Sequence, residues 1–106
     1  MVDVFKMMIL LKKKPEFSDE EFVKYFLETH APMAKKMPGL RRYVLNVVRR
    51  PPSREADYHG VAELWFDDVA SMKQAFASPE GNAAQKDTGA FTSTVTTMYI
   101  DEHVVA

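Results

Sequence analysis

Between Val4 and Lys12 the chain places Phe5, Met7, Met8, Ile9, Leu10 and Leu11 with hardly any polar interruption. A strand with one wet face alternates apolar and polar residues, whereas a run without alternation belongs to a strand covered on both sides. A chain of 106 residues is the usual size of one domain and has room for a single core, so this strand runs through its middle. Something must lie on each of its faces.

Ser18 followed by Glu21 forms a capping-box pair that starts a helix near Asp19. Phe22, Phe26, His30 and Met33 then recur at helical spacing along one stripe. Pro32 has no N–H and crowds the carbonyl four residues back, so the helix is expected to end or kink near His30, resume toward Met37 and stop at Pro38-Gly39. Leu40 to Arg49 reads as a second strand and Tyr58 to Phe66 as a third, with a hairpin loop through Pro51-Pro52 and Ser53 to Asp57 between them. On the third strand Gly60, Ala62, Leu64 and Phe66 share one face, and His59, Val61, Glu63 and Trp65 the other. Asp67 or Asp68 caps a second helix to about Ala77, and Ser78-Pro79 opens a further short one. Asp87 to Ala90 reads as loop, and Thr94 to Val104, dense in β-branched residues, as the fourth strand.

The order βαββαβ is that of an α+β domain of the ferredoxin-like type, here residues 1–106: a four-stranded antiparallel sheet, strands one and three central, helices on one face. The other face is left bare, and its apolar patch exceeds the few hundred Å² that monomers expose. A second copy related by a two-fold axis covers it with an identical patch. The expectation is therefore a homodimer whose sheets pack face to face as a dimeric α+β barrel, the alternative being a monomer with loops over the sheet.

Several function classes are disfavoured. Net charge is -1, and no stretch approaches the roughly 20 apolar residues of a membrane span. In MVDVFKMMILLKKK an acidic residue comes early and lysines follow the apolar run, the reverse of a secretory signal, so a cytoplasmic protein is expected. Cysteine is absent, which removes thiolate nucleophiles and cysteine-based zinc sites. Lys12 to Lys14, Arg41, Arg42, Arg49, Arg50 and Arg54 are balanced by 15 acidic residues and lack an interleaved aromatic platform, so nucleic acid is not an expected partner. There is no Gly-rich phosphate loop and no nucleophile elbow, and no cofactor is expected. His59, Glu63 and His103 suggest a ligand set, but two strand spacings, about 9 to 10 Å, part the two histidines, so no metal is expected.

His30 is the leading candidate for chemistry, because it sits where proline interrupts an apolar stripe and imidazole transfers protons near neutral pH. The same position suits a hydrogen-bonded core residue. Tyr43, early in the second strand, can offer its hydroxyl to an oxygen in the same cleft, or simply end at the sheet edge. Gly60 and Ala62 leave space between sheet and helices, which either a pocket or close packing can use. The candidate ligand-binding set is Phe26, Met33, Gly60, Ala62, Leu64 and Phe91, facing a small apolar organic molecule.

Thr29-His30-Ala31-Pro32, Met37-Pro38-Gly39-Leu40-Arg41-Arg42-Tyr43, the run Gly60 to Phe66, Ser78-Pro79-Glu80-Gly81 and the terminal Asp101 to Val105 together resemble the EthD family over nearly the whole chain. The resemblance implies the dimeric α+β barrel argued above. It also implies kinship with methylmuconolactone methylisomerase, in which a histidine and a tyrosine in the same sequence context line a cofactor-free active site; His30 and Tyr43 occupy those positions here. The isomerase has a cysteine where this chain has Leu64, so that particular isomerisation is not expected.

Three functions fit these features. The first is a cofactor-independent enzyme acting on a lactone, an enol or an aromatic catabolite, with His30 moving a proton and Tyr43 stabilising an oxygen. The second is an oxidoreductase resembling the quinol monooxygenases of the same superfamily. The third is a non-catalytic accessory protein of a catabolic oxygenase system such as that of ethyl tert-butyl ether degradation.

Overall fold

The computed structural model describes residues 4–106; Asp3, the acidic residue weighed against a secretory signal, lies outside them. In chain order the elements are β1 (Phe5–Lys13), α1 (Asp19–Tyr25), a π turn (Phe26–His30), α2 (Ala31–Ala34), β2 (Arg42–Val47), β3 (Gly60–Phe66), α3 (Val69–Ala77), α4 (Pro79–Phe91) and β4 (Thr92–Ile100). The sheet runs β2-β3-β1-β4 with every neighbouring pair antiparallel, so the two strands apolar on both faces are the central ones.

Local chemistry sets the boundaries. Ser18 and Glu21 close a reciprocal capping box, each side chain accepting from the other's backbone N–H at 3.1 and 2.8 Å. Asp68 caps α3 by accepting from Ser71 N at 2.7 Å. Ser78 joins two helices, donating to the Ala75 carbonyl at 2.6 Å and accepting from Gly81 N at 3.0 Å.

Register decides which side chains meet. Met7, Ile9 and Leu11 of β1 lie opposite Leu64, Ala62 and Gly60 of β3 and opposite Tyr99, Thr97 and Val95 of β4. This face carries the helices, and the core between the layers is built from Met7, Leu11, Leu64 and Phe66 against Phe22, Phe26, Met72 and Phe91. On the other face Lys6, Met8 and Leu10 pair with Trp65, Glu63 and Val61. Lys6 is only 6% exposed there, its Nζ 2.8 Å from Glu63 and 3.1 Å from Glu102. The Lys6 ammonium and the Arg42 guanidinium each lie 4.7 Å from the Trp65 ring centre.

Three readings need correction. His59 does not join Val61, Glu63 and Trp65: β3 begins at Gly60, and at the bend before it the imidazole turns toward Phe22, ring centres 5.9 Å apart, and accepts from Lys13 N at 3.1 Å. Residues 87–90 are not a loop but the last turn of α4, held by the buried stripe Gly81, Ala84 and Phe91. β4 runs from Thr92 to Ile100 and leaves Val104 and Val105 exposed beyond its end.

Candidate active site

The helix that carries His30 changes pitch just before it. From Phe26 to His30 the turn is π-helical, with Ala31 N–H bonding the Phe26 carbonyl five residues back, and α2 resumes with Pro32 in its first turn. A π turn holds about 4.4 residues, so it rephases the stripe that follows. The inward positions after His30 are Ala34 and Met37, not Met33. His30 itself is 6% exposed and packs against Phe91, ring centres 5.1 Å apart.

Its partner comes from 57 residues further along the chain. His30 Nδ1 lies 2.8 Å from Asp87 Oδ2 on α4, and the Tyr25 hydroxyl donates to Asp87 Oδ1 at 2.6 Å. A carboxylate can only accept, so Nδ1 carries the hydrogen and the acceptor lone pair of the neutral ring is on Nε2. The hydrogen bond to Asp87, with burial and the carboxylate's charge adding to it, pushes the Tyr25 phenol up to about 12. Neither Asp87 nor Tyr25 belongs to the sequence-derived set. A signal for Asp87 exists: it lies three residues after Ala84 and four before Phe91, on the inward stripe of a helix.

Beside His30 a cleft of about 580 Å³ opens between sheet and helices, within the range of small-molecule sites. Its floor is Met7, Ile9, Leu11, Ala62 and Leu64; its roof is His30, Ala34, Met37, Met72, Phe76 and the α4 residues Ala84, Gln85, Thr88 and Gly89; Tyr43 closes one side and Val95, Thr97 and Tyr99 the other. His30, Tyr43, Ala62 and Leu64 are thus brought together. Burial pushes the Tyr43 phenol up to about 12, because the phenolate would lose its water.

Four candidates are not among the lining residues. A Cβ on Gly60 would lie 2.8 Å from the Phe26 ring and 3.1 Å from that of Phe22, so the space glycine leaves is packed, not open. Phe26 and Phe91 are fully buried in an aromatic stack with Phe22 that supports His30 from behind. Met33 is turned aside by the π turn. Among the described residues no group of three or more His, Asp or Glu side chains is arranged to hold a metal ion, and no helix is long and apolar enough to cross a membrane.

Comparison with known proteins gives a consistent result. The family model for the EthD domain matches residues 14–94. An 11.0 kDa protein in the thcB-thcC intergenic region of Rhodococcus erythropolis is 31% identical over 85 residues, 79% of this chain and 82% of that one. Among solved structures, an ethyl tert-butyl ether D (EthD) family protein from Bacillus halodurans superimposes with a TM-score of 0.81 at 30% identity, covering 95% of this chain and all of its own. A dimeric protein of ferredoxin-like fold from Bacteroides fragilis (TM-score 0.71, 16% identity, 93% and 96% covered) shares the fold. So does SnoaB, a cofactor-independent oxygenase from Streptomyces nogalater (0.67, 19%, 97% and 96%).

Proposed function

The chain belongs to the EthD domain family, and from that premise we propose that it binds a small apolar oxygenated compound and transforms it by acid/base chemistry without a cofactor. A lactone, an enol or an aromatic catabolite is the substrate class. The observation that carries this reading is the largely apolar cleft of about 580 Å³ with His30 and Tyr43 among the polar groups on its wall. His30 moves a proton and Tyr43 hydrogen-bonds the oxygen on which charge develops.

The working unit in this reading is a cytoplasmic homodimer of one EthD-like domain per chain. Met8, Leu10, Val61 and Val44 are only half covered on the sheet face away from the helices, and an identical patch related by a two-fold axis would cover them. The description of a neighbour of the same fold as dimeric lends support.

Displacement of an apolar fluorophore tests the cleft. His30→Ala should fold, and should lower turnover of an accepted substrate by about 10²- to 10⁴-fold, the usual contribution of one general acid or base. Unchanged turnover and affinity in folded His30→Ala would overturn the assignment. A second reading, a cofactor-independent oxidoreductase, draws support from the fold shared with an oxygenase of that kind; oxygen consumption during turnover distinguishes it.

A further inference from the structure

We propose that the Tyr25–Asp87–His30 chain equips the cleft to take a proton from an uncharged ligand, one that carries a C–H group next to a carbonyl or an O–H group conjugated with an electron-accepting oxygen. This deepens the reading above and rests on it.

The argument begins with the free nitrogen. Nδ1 is committed to Asp87 at 2.8 Å, so Nε2 is the proton acceptor. Among the described residues Nε2 has no protein partner, yet none of their fully buried side-chain nitrogens or oxygens lacks one. Nε2 therefore keeps open surface, and the open space beside His30 is the cleft.

Asp87 is held in its turn. Its second oxygen accepts the Tyr25 hydroxyl at 2.6 Å, which fixes the carboxylate against rotation and leaves it facing an imidazolium as soon as one forms. Asp87 and Tyr25 act through His30 and are positioning residues. The other titratable groups on the cleft wall are Tyr43 from β2 and Tyr99 from β4, and both offer hydroxyls. Among the described residues no lysine or arginine lines it. The cation available to a ligand anion on this wall is therefore an imidazolium formed at His30, which favours a ligand that brings its own proton.

The step balances without a co-reactant. The O–H or C–H bond of the ligand breaks, its electron pair delocalises onto the conjugated acceptor oxygen, where the Tyr43 hydroxyl donates a hydrogen bond, and the proton forms an N–H bond at Nε2. Return of that proton to a different ligand atom completes a tautomerisation and regenerates neutral His30.

4-Nitrophenol tests this directly, because its anion absorbs visible light and its neutral form does not. Bound to the wild-type protein it should be ionised below its midpoint in free solution. Asp87→Asn should raise the bound midpoint by about one pH unit or more, the effect of removing a charge next to the imidazolium, while neutral probe still binds. Tyr25→Phe should move it the same way by less. Bound probe that titrates as in free solution, or a midpoint unmoved by both variants, overturns the proposal. If Asp87→Asn does not fold, Tyr25→Phe decides. Failure of the probe alone, with the apolar fluorophore still bound, removes only this inference; failure of both ligands to bind removes the proposed function with it.

Discussion

Adding the same methyl group at Gly60 and at Gly89 should have opposite effects. At Gly60 it would stand 2.8 Å from Phe26 Cε2 and 3.1 and 3.2 Å from the Phe22 ring. Carbon atoms pack at about 3.5 to 4.0 Å, so the Phe26 ring would have to retreat by roughly 0.7 Å. It has nowhere to go: Phe26 is fully buried and stacked between Phe22, Phe91 and His30 at ring separations of 5.4, 6.0 and 6.4 Å. Overpacking of this kind costs about 1–3 kcal/mol. At Gly89 the methyl meets nothing within 4 Å, and replacing a glycine inside a helix gains about 0.5–1 kcal/mol. The two variants should then differ by about 1.5–4 kcal/mol, which for a domain of this size is on the order of 10 °C in Tm. Thermal and guanidinium unfolding at matched protomer concentration measure it, the matching being needed because assembly adds to apparent stability. Gly60→Ala as stable as Gly89→Ala would refute the packing account and restore Gly60 to the cleft.

Other outcomes follow from the same geometry. Gly81→Ala should be worse than either, above about 4 kcal/mol, because its Cβ would meet backbone atoms of Ala75 and Phe76 at 2.1 to 2.7 Å; failure to accumulate folded protein is the readout. Tyr25 and Tyr43 ionise near pH 12 when folded and near 10 when unfolded, so their stabilisation is complete below pH 10 and is lost as pH rises toward 12. Denaturant midpoints should fall across that window, and less steeply in the Tyr25→Phe/Tyr43→Phe double variant. On the acid side, hydrogen bonds from Lys6 and Asn46 hold the Glu63 carboxyl below the usual range; its contribution is present above that range and is lost as pH falls through the lowered value, so Glu63→Gln should flatten the acid limb of the stability profile. Leu10→Lys, on the sheet face away from the helices, should reduce the mass found by light scattering to that of one chain, 12.1 kDa.

The sheet was legible because its information is local. The unbroken apolar run of β1, the paired faces of β3, the Ser18–Glu21 box and the Ser78-Pro79 start each act within a few residues. The cleft was half legible: His30, Tyr43, Ala62 and Leu64 project from elements whose phase could be read. Met33 was misplaced because a π turn leaves no simple mark in sequence, and the stripe was continued at the α-helical pitch. Asp87 was missed for two reasons. Asp-Thr-Gly-Ala has weak helix propensity, yet buried Ala84 and Phe91 override it, and a hydrogen bond between residues so far apart in sequence has no periodic signature. Gly60 failed in a third way, since a missing side chain says that something comes close but not whether it is a ligand or a neighbouring ring.

Trp65, the chain's single tryptophan, lies on the sheet face away from the cleft, with Lys6 and Arg42 close to its ring, while Tyr25 and Tyr43 belong to the site. Two optical channels are therefore built into one small molecule. Indole emission follows events on the outer sheet surface, where nearby cations tune it, and phenol absorbance, once Tyr58 beside Thr96 on that outer face is replaced by Phe, follows events around the cleft. A titration that moves one signal and leaves the other still would tell assembly from occupancy without any label.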